Sequence, residues 1–242
     1  MTKEIENNSA KTLGAYFQAY KNKRATDFVL TKFRESYPDS PIMLISDGGD
    51  DFSDLASKHK TSYAHLHNIF GAEDVDRYYD STRMIEAWRR HKLAVDNASC
   101  DYIMILEDDV LIQRQIDLRN FDSKGVVVEN YLPQAAIQEI ERCGGKVGIK
   151  QYGLCGGSVY SSRAFLNVYE SALSYTREKH DDVYFRNPPE HPNRSVCAID
   201  CNIVFHFNRC GYSYEKAEWL GEVCRNPDWK SFPVVHQFKE HY

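Results

Sequence analysis

The sequence predicts an α/β fold, a single domain in which a mixed, mostly parallel central sheet is flanked by helices. Through residues 1–110, apolar runs of strand length alternate with segments of helical periodicity. This alternation is typical of parallel sheets, because parallel strands are joined by long crossovers that usually contain a helix. The 242 residues, of which 42% are hydrophobic, suffice for one large domain with a sizeable core.

The predicted elements of the first half alternate regularly. Apolar runs predict strands at 13–20, 42–45, 63–67 and 101–106, and apolar residues spaced by three and four predict helices at 26–36, 52–58 and 80–97. Trp88 lies on the apolar stripe of the third helix, which favours a place in the core over a role in ligand binding. The second half is less regular, with glycine pairs and a proline-rich stretch. We expect one domain over 1–242, with halves 1–110 and 111–242.

The charge balance bears on the partners of the protein. Lysine and arginine number 30 against 35 aspartates and glutamates, a net charge of -5. Nucleic acid is not expected as a partner, because binding it requires clustered positive charge. The apolar runs are too short for a transmembrane segment, and the first residues lack the pattern of a signal peptide. We therefore expect a cytoplasmic protein.

Three successive carboxylates, Glu107, Asp108 and Asp109, follow the predicted strand 101–106. Ligands of open α/β sheets bind at the carboxyl ends of the strands. Neighbouring anions repel one another unless a cation joins them, and oxygen ligands suit a hard divalent ion. Strand alternation predicts that Glu107 and Asp109 share one side and that Asp108 faces the other. The alternative interpretation is a solvated acidic loop.

The acidic triplet at the end of an apolar strand resembles the D-x-D motif of nucleotide-sugar glycosyltransferases with the GT-A fold, and the resemblance covers most of the chain. Three further features are similar to that family: the basic residues Lys21, Lys23 and Arg24 after the first strand, the turn Asp47-Gly48-Gly49 after the second, and the Gly-Gly-small segment at 155–163. In that family these positions hold the nucleotide, approach the base and ribose, and line the acceptor side.

The resemblance implies a divalent cofactor, Mn²⁺ or Mg²⁺, that neutralises charge on the departing nucleoside diphosphate. Carried over position by position, Asp109 is the principal metal ligand. Glu107 contacts the ribose or a metal-bound water and is counted with the metal site, and Asp108 orients the site.

The resemblance also implies a donor site for a UDP- or GDP-sugar. Tyr20, Lys21 and Arg24 would lie beside the nucleotide, where a basic side chain could donate charge-assisted hydrogen bonds to the phosphates. A solvated basic turn is the alternative for these residues. Asp47 would lie near the base and the ribose.

A late histidine, His236, adds a possible nitrogen ligand. Several members of the family bring a histidine from a late segment to the metal, with a nearby lysine on the diphosphate, which here would be Lys239. His236 follows two valines, so we expect it at the end of a strand. A nitrogen ligand beside carboxylates favours Mn²⁺ over Mg²⁺. The alternative is a surface histidine on a terminal peptide.

An inverting transferase needs a carboxylate that accepts the proton of the acceptor hydroxyl. The segment 180–184 resembles the acidic segment that carries this base in some inverting members, which implies Asp182. A solvated loop is the alternative there. Asp200 is a second candidate, which could equally bind the acceptor or cap the helix predicted around 203–205. The stereochemistry stays open, since a retaining enzyme would need no such base.

Two other classes of protein share part of this pattern. A nucleotidyltransferase has a similar sheet and acidic strand end, but its first loop usually contains glycine, and the loop 20–25 has none. A non-catalytic nucleotide-sugar-binding module would not need a carboxylate cluster. The favoured interpretation is a metal-dependent glycosyltransferase that moves a sugar from a nucleotide-sugar donor to a hydroxyl of a glycan, lipid or protein acceptor.

Overall fold

A computed structural model of the protein describes residues 11–69, 79–119, 124–128, 154–186, 199–223 and 226–238, with the backbone alone at 124–128, 184, 200 and 214–216. The strands are β1 (Leu13–Ala19), β2 (Ile42–Asp47), β3 (Ser62–Leu66), β4 (Tyr102–Leu106), β5 (Leu111–Ile112), β6 (Lys124–Val128), β7 (Val159–Ser161), β8 (Ser213–Lys216), β9 (Leu220–Glu222) and β10 (Val234–His236). The helices are α1 (Lys23–Ser36), α2 (Ser53–His59), α3 (Ser81–Ala98), α4 (Ser162–Tyr175), α5 (Asp181–Arg186) and α6 (Ile199–Arg209). A π-helical turn (Thr176–His180) joins α4 to α5.

The large sheet has the strand order β3-β2-β1-β4-β7-β6-β8. The pairs β1–β2, β1–β4, β2–β3 and β6–β8 are parallel, whereas β7 is antiparallel to both β4 and β6. Helices α1, α2 and α3 form the crossovers that parallel pairing of the first four strands requires. The predicted mixed, mostly parallel sheet flanked by helices is thus confirmed.

Helices cover both faces of the large sheet. Along β1, Ala15 and Phe17 pack with the apolar faces of α1 and α2, whereas Tyr16 packs with α3, α4 and α6. β4 repeats this division, with Met104 on the first side and Ile105 on the second. The alternation follows from the two-residue period of a strand and explains why β4 is apolar at every position and β1 at all but Gln18.

A second, small sheet has the order β5-β10-β9 and packs on the α1 side of the molecule. β10 is antiparallel to β5 and parallel to β9. Phe28 of α1 stacks on Phe238, with ring centroids 6.0 Å apart. Through the small sheet, β10, near the end of the described chain, lies beside β5, which comes shortly after β4 in the sequence.

The predicted elements of the first half match the observed ones, with small differences at their ends. α1 begins at Lys23, earlier than predicted, because the Asn22 side chain accepts a hydrogen bond from the Ala25 amide at 3.2 Å and caps the helix. β2 extends to Asp47 because its ladder with β3 continues to the pair Asp47–Leu66. The ends of α1 and β2 are set by a side-chain cap and by strand pairing. Apolar periodicity alone does not predict either of these contacts.

Helix α3 is amphipathic and buries the predicted core tryptophan. Trp88 is fully buried, and its indole N–H donates to the Asn202 side chain at 2.7 Å. The structure thus confirms that Trp88 belongs to the core. In the part of the chain that the structure describes, no helix combines the length and the apolar character needed to cross a bilayer.

A buried histidine on α3 makes the stability of the fold depend on pH. His91 packs against Tyr16, with ring centroids 4.4 Å apart, and burial lowers its pKa from 6.5 to about 3. Between these values the unfolded chain binds a proton that the folded protein does not bind. The free energy of unfolding therefore falls as the pH falls through this window, by up to about 1.4 kcal/mol per pH unit.

We expect His91→Phe to flatten the acid side of the stability profile. The variant loses the titrating ring, so urea unfolding between pH 6 and pH 4 should show a smaller slope of unfolding free energy against pH than the wild type. His65→Phe, at an exposed position, is the control and should keep the wild-type slope. An unchanged slope in His91→Phe would contradict the assignment.

Candidate metal centre and nucleotide edge

The acidic triplet connects the two sheets. β4 ends at Leu106, and a turn follows in which the Val110 amide donates to the Glu107 carbonyl at 3.3 Å. β5 of the small sheet begins immediately afterwards. The Glu107 and Asp109 side chains do lie close together, as expected for a shared side. The physical reason is this turn, because β4 ends before the triplet begins.

His236 reaches the triplet through strand pairing. It is the last residue of β10, which confirms the predicted strand end, and Val235 of β10 pairs with Leu111 of β5. The Phe238 amide also donates to the Asp109 carbonyl at 2.9 Å. These backbone contacts fix the late histidine beside carboxylates that are far away in the sequence.

Glu107, Asp109 and His236 form a compact cluster whose ligand atoms all lie within 4.8 Å of one another. The His236 Nε2 atom is 3.2 Å from Glu107 Oε2 and 3.3 Å from Asp109 Oδ1. The Asp109 and His236 side chains are 6% and 10% exposed, whereas Glu107 is 37% exposed. The cluster is therefore buried on one side and open to solvent at Glu107.

The donor set of this cluster fits a divalent metal ion. Carboxylate oxygens and an imidazole nitrogen together suit Mn²⁺. The two nitrogen–oxygen distances of 3.2 and 3.3 Å agree with the roughly 3 Å between adjacent ligands that each lie about 2.1 Å from one octahedral ion. A cation there would also offset the repulsion between the two carboxylates.

Gly156 forms one wall of the cluster. A Cβ atom at this position would overlap a Val110 methyl group and would lie 3.2 Å from Glu107 Cβ and 3.3 Å from His236 Cδ2. The next residue donates from its amide to the Ile105 carbonyl at 2.8 Å, which ties this segment to β4. The Gly-Gly segment expected on the acceptor side therefore contacts the candidate metal ligands directly.

The predicted nucleotide residues of the first loop lie at the same edge of the sheet. Phe17 of β1 pairs with Leu106 of β4, so Tyr20 and the acidic triplet both follow the carboxyl ends of neighbouring strands. Lys21 and Arg24 are exposed at the start of α1, and Lys21 Nζ lies 4.9 Å from the centre of the Tyr20 ring. Their role in nucleotide binding stays a prediction.

Asp47 is buried, which differs from the expected contact with a base and ribose. It is 2% exposed, and one carboxylate oxygen accepts from Arg90 Nη1 at 2.6 Å and from the Ile69 amide at 2.9 Å. The side chain is thus held inside the protein by an ion pair. Its contribution to nucleotide binding stays a prediction.

Asp182 is exposed in the first turn of α5, a helix where a loop was the alternative interpretation. Its neighbour Asp181 accepts from the amide and the hydroxyl of Ser81, both at 2.7 Å, and so binds the start of α3. His180 also contacts this region, because its Nε2 atom is 2.8 Å from the Tyr79 carbonyl. The assignment of Asp182 as a base is not tested by these contacts.

The remaining predicted residues are partly described. Asp108 is half-buried in the turn between the two candidate carboxylate ligands. α6 begins at Ile199, so Asp200 lies in its first turn and not at the capping position before it. Lys239 lies outside the described residues. The roles of Asp108, Asp200 and Lys239 stay predictions.

Arg90 is a functional candidate that sequence reasoning missed. It lies three residues after Ala87 and four before Ala94, and both of these are buried. A cation at this spacing on the apolar stripe of a helix must be paired when the stripe packs on a sheet. The periodicity of α3 could therefore have indicated a buried arginine with a carboxylate partner.

Comparison with known proteins identifies the fold. No model of a protein family matches the sequence, and no curated protein matches it. Among solved structures, the chain is similar to the galactosyltransferase LgtC, which was crystallised with donor and acceptor sugar analogues. The TM-score is 0.51 and the sequence identity 14%, over 92% of this chain and 86% of LgtC. The likeness confirms the predicted GT-A type of fold.

We expect Gly156→Ala to weaken Mn²⁺ binding. The added methyl group would overlap Val110 in the turn that carries the carboxylates and would crowd Glu107 and His236. The dissociation constant for Mn²⁺, measured by electron paramagnetic resonance, should therefore rise by about 10-fold. The control is Gly211→Ala, where the backbone has φ +84° and no atom lies within 4 Å of the new Cβ. That variant should lose stability but bind Mn²⁺ normally. Normal binding by Gly156→Ala would contradict the proximity of this wall to the ion.

Proposed function

We propose that the protein is a metal-dependent glycosyltransferase. It would transfer a sugar from a UDP- or GDP-sugar to a hydroxyl of a glycan, lipid or protein acceptor. The proposal includes a Mn²⁺ or Mg²⁺ ion held by Glu107, Asp109 and His236. It assigns residues 1–110 to donor binding and residues 111–242 to acceptor binding.

The observation that carries the proposal is the position of the cluster in the fold. Glu107, Asp109 and His236 gather at the carboxyl ends of parallel strands, where ligands of such sheets bind. In the alternative interpretation, a solvated acidic loop, Asp109 would be exposed. Instead the whole residue is only 4% exposed and lies beside the buried imidazole of His236. The similarity of the fold to that of a galactosyltransferase supports the same class of reaction.

When bound, a divalent ion would supply Lewis-acid neutralisation of the charge that develops on the departing diphosphate. Asp109 and His236 would hold the buried side of the ion, and the more exposed Glu107 would face the donor. Lys21 and Arg24, at the start of α1, would add charge-assisted hydrogen bonds to the phosphates. Lys239 would contribute in the same way from the late segment.

Asp182 is the proposed base, which accepts the proton of the acceptor hydroxyl. Asp182 is exposed in the first turn of α5, and this supports its choice within the acidic segment. Asp200, near the start of α6, is the second candidate for the base or for acceptor binding.

Hydrolysis of nucleotide sugars tests the proposed reaction. The purified protein should release a nucleoside diphosphate slowly from a UDP- or GDP-sugar in the presence of Mn²⁺, and EDTA should stop the release. Consumption of a nucleoside triphosphate instead would indicate a nucleotidyltransferase. Stabilisation by a nucleotide sugar without turnover would indicate a binding module.

We expect Asp109→Ala to reduce this hydrolysis by about 100-fold or more while the protein stays folded, because a direct metal ligand is lost.

His236→Ala should raise the Mn²⁺ concentration needed for half-maximal rate by about 10-fold.

The control for both variants is Asp96→Ala, an exposed carboxylate on α3 that pairs with Lys92. It should leave the hydrolysis rate and the Mn²⁺ titration unchanged. Wild-type activity in Asp109→Ala would remove the metal assignment, and an unchanged titration in His236→Ala would remove the histidine from it.

A further inference from the structure

Arg90 is a buried cation on α3. Its side chain is 1% exposed, although arginine is almost never fully buried unless it is paired. The Nη1 group donates to Asp47 Oδ1 at 2.6 Å, and the Nη2 group donates to the His67 carbonyl at 2.6 Å. A single guanidinium thus joins the carboxyl ends of two neighbouring strands, β2 and β3.

Asp47 strengthens this link from the side of β2. The same oxygen that binds Arg90 also accepts from the Ile69 amide at 2.9 Å, so the carboxylate holds the segment after β3 as well. Its side chain is 3% exposed. To reach a ribose, Asp47 would have to give up its 2.6 Å pair with the buried guanidinium, whose other carboxylate neighbour, Glu86, is more distant at 3.5 Å. Breaking a buried ion pair in this way is unfavourable.

The turn that follows Asp47 is packed between the ends of β1 and β3. A Cβ atom on Gly49 would overlap the Tyr20 carbonyl, so only glycine permits this approach. Gly48 has φ +70°, and a Cβ there would lie 2.5 Å from the Asn68 amide nitrogen. The turn is held at both of its ends, at its start by the pair of Asp47 and Arg90 and at its end by the Asp50 amide, which donates to the Tyr20 carbonyl at 2.7 Å.

We propose that Asp47 and Arg90 are positioning residues of the donor site. The pair holds the turn 47–50 against Tyr20 in the shape that receives the nucleotide, and the Asp47 carboxylate itself makes no contact with the nucleotide. A site held in its binding shape avoids the cost of ordering the turn when the ligand arrives. This inference rests on the proposed function, because it assumes that this edge binds a nucleoside diphosphate.

A double-mutant cycle tests the pair through nucleotide affinity. Isothermal titration calorimetry with UDP and with GDP, in the presence of Mn²⁺, compares the wild type, Asp47→Asn, Arg90→Gln and the double variant. Each single change breaks the buried ion pair of 2.6 Å and leaves the remaining member poorly compensated, and we expect the Kd to rise by about 10-fold or more. The double variant replaces the ion pair by two amides that can bond to each other, so its Kd should return to within about 3-fold of the wild type.

A double variant that binds as weakly as Asp47→Asn alone would overturn the proposal, because it would indicate a direct contact between Asp47 and the nucleotide. The matched control is Asp96→Asn, which neutralises an exposed carboxylate on the same helix that pairs with Lys92. It should bind UDP and GDP like the wild type. All variants should bind Mn²⁺ normally in electron paramagnetic resonance, since the metal cluster is elsewhere.

Arg90→Lys keeps the test decisive if the single variants do not fold. A lysine retains the charge beside Asp47, but one ammonium cannot reproduce the planar fork that reaches both Asp47 and the His67 carbonyl. Nucleotide binding should weaken while Mn²⁺ binding is kept, and wild-type nucleotide affinity in Arg90→Lys would overturn the proposal.

The same titrations separate this proposal from the proposed function. If the wild type binds Mn²⁺ but neither UDP nor GDP, the proposed function fails and the positioning role falls with it. If the wild type binds a nucleotide and the cycle shows no coupling, the positioning role alone is overturned.

Discussion

The pairing of β10 with β5 is the interaction on which the candidate site depends. β5 begins shortly after the acidic triplet. Antiparallel pairing of β10 with β5 therefore brings the end of β10 to the carboxylates. The short ladder places the imidazole of His236 beside Glu107 and Asp109. Few backbone hydrogen bonds hold a strand this short, and the apolar packing of Leu111, Val235 and Phe238 adds to them.

Glycines and buried polar contacts hold the two sides of this edge in place. On the metal side, Gly156 allows the segment before β7 to approach the ligands more closely than any side chain would permit. Next to the first loop, Gly49 lets the turn after β2 meet Tyr20, and Asp47, the first residue of that turn, pairs with the buried Arg90. Under the proposed function, these contacts would hold the site in its binding shape, which lowers the cost of ordering on binding.

The fold alone does not define a reaction, because one fold can carry unrelated activities. For this protein the functional argument therefore depends on the chemistry of particular side chains. Two carboxylates and an imidazole suit a divalent ion, exposed basic residues lie at the start of α1, and both groups belong to one edge of the sheet. This combination supports the proposed transfer of a sugar from a nucleotide-sugar donor.

The sequence by itself determined the alternation of strands and helices through β4, the core position of Trp88 and the presence of a carboxylate triplet at a strand end, because these depend on local periodicity and composition. It also indicated that His236 ends a strand. Only the tertiary structure decided which strand pairs with β10 and that Asp47 faces Arg90 inside the protein. Such contacts join residues distant in sequence. A local pattern can indicate that a charge such as Arg90 is buried, but packing of the whole chain selects its partner.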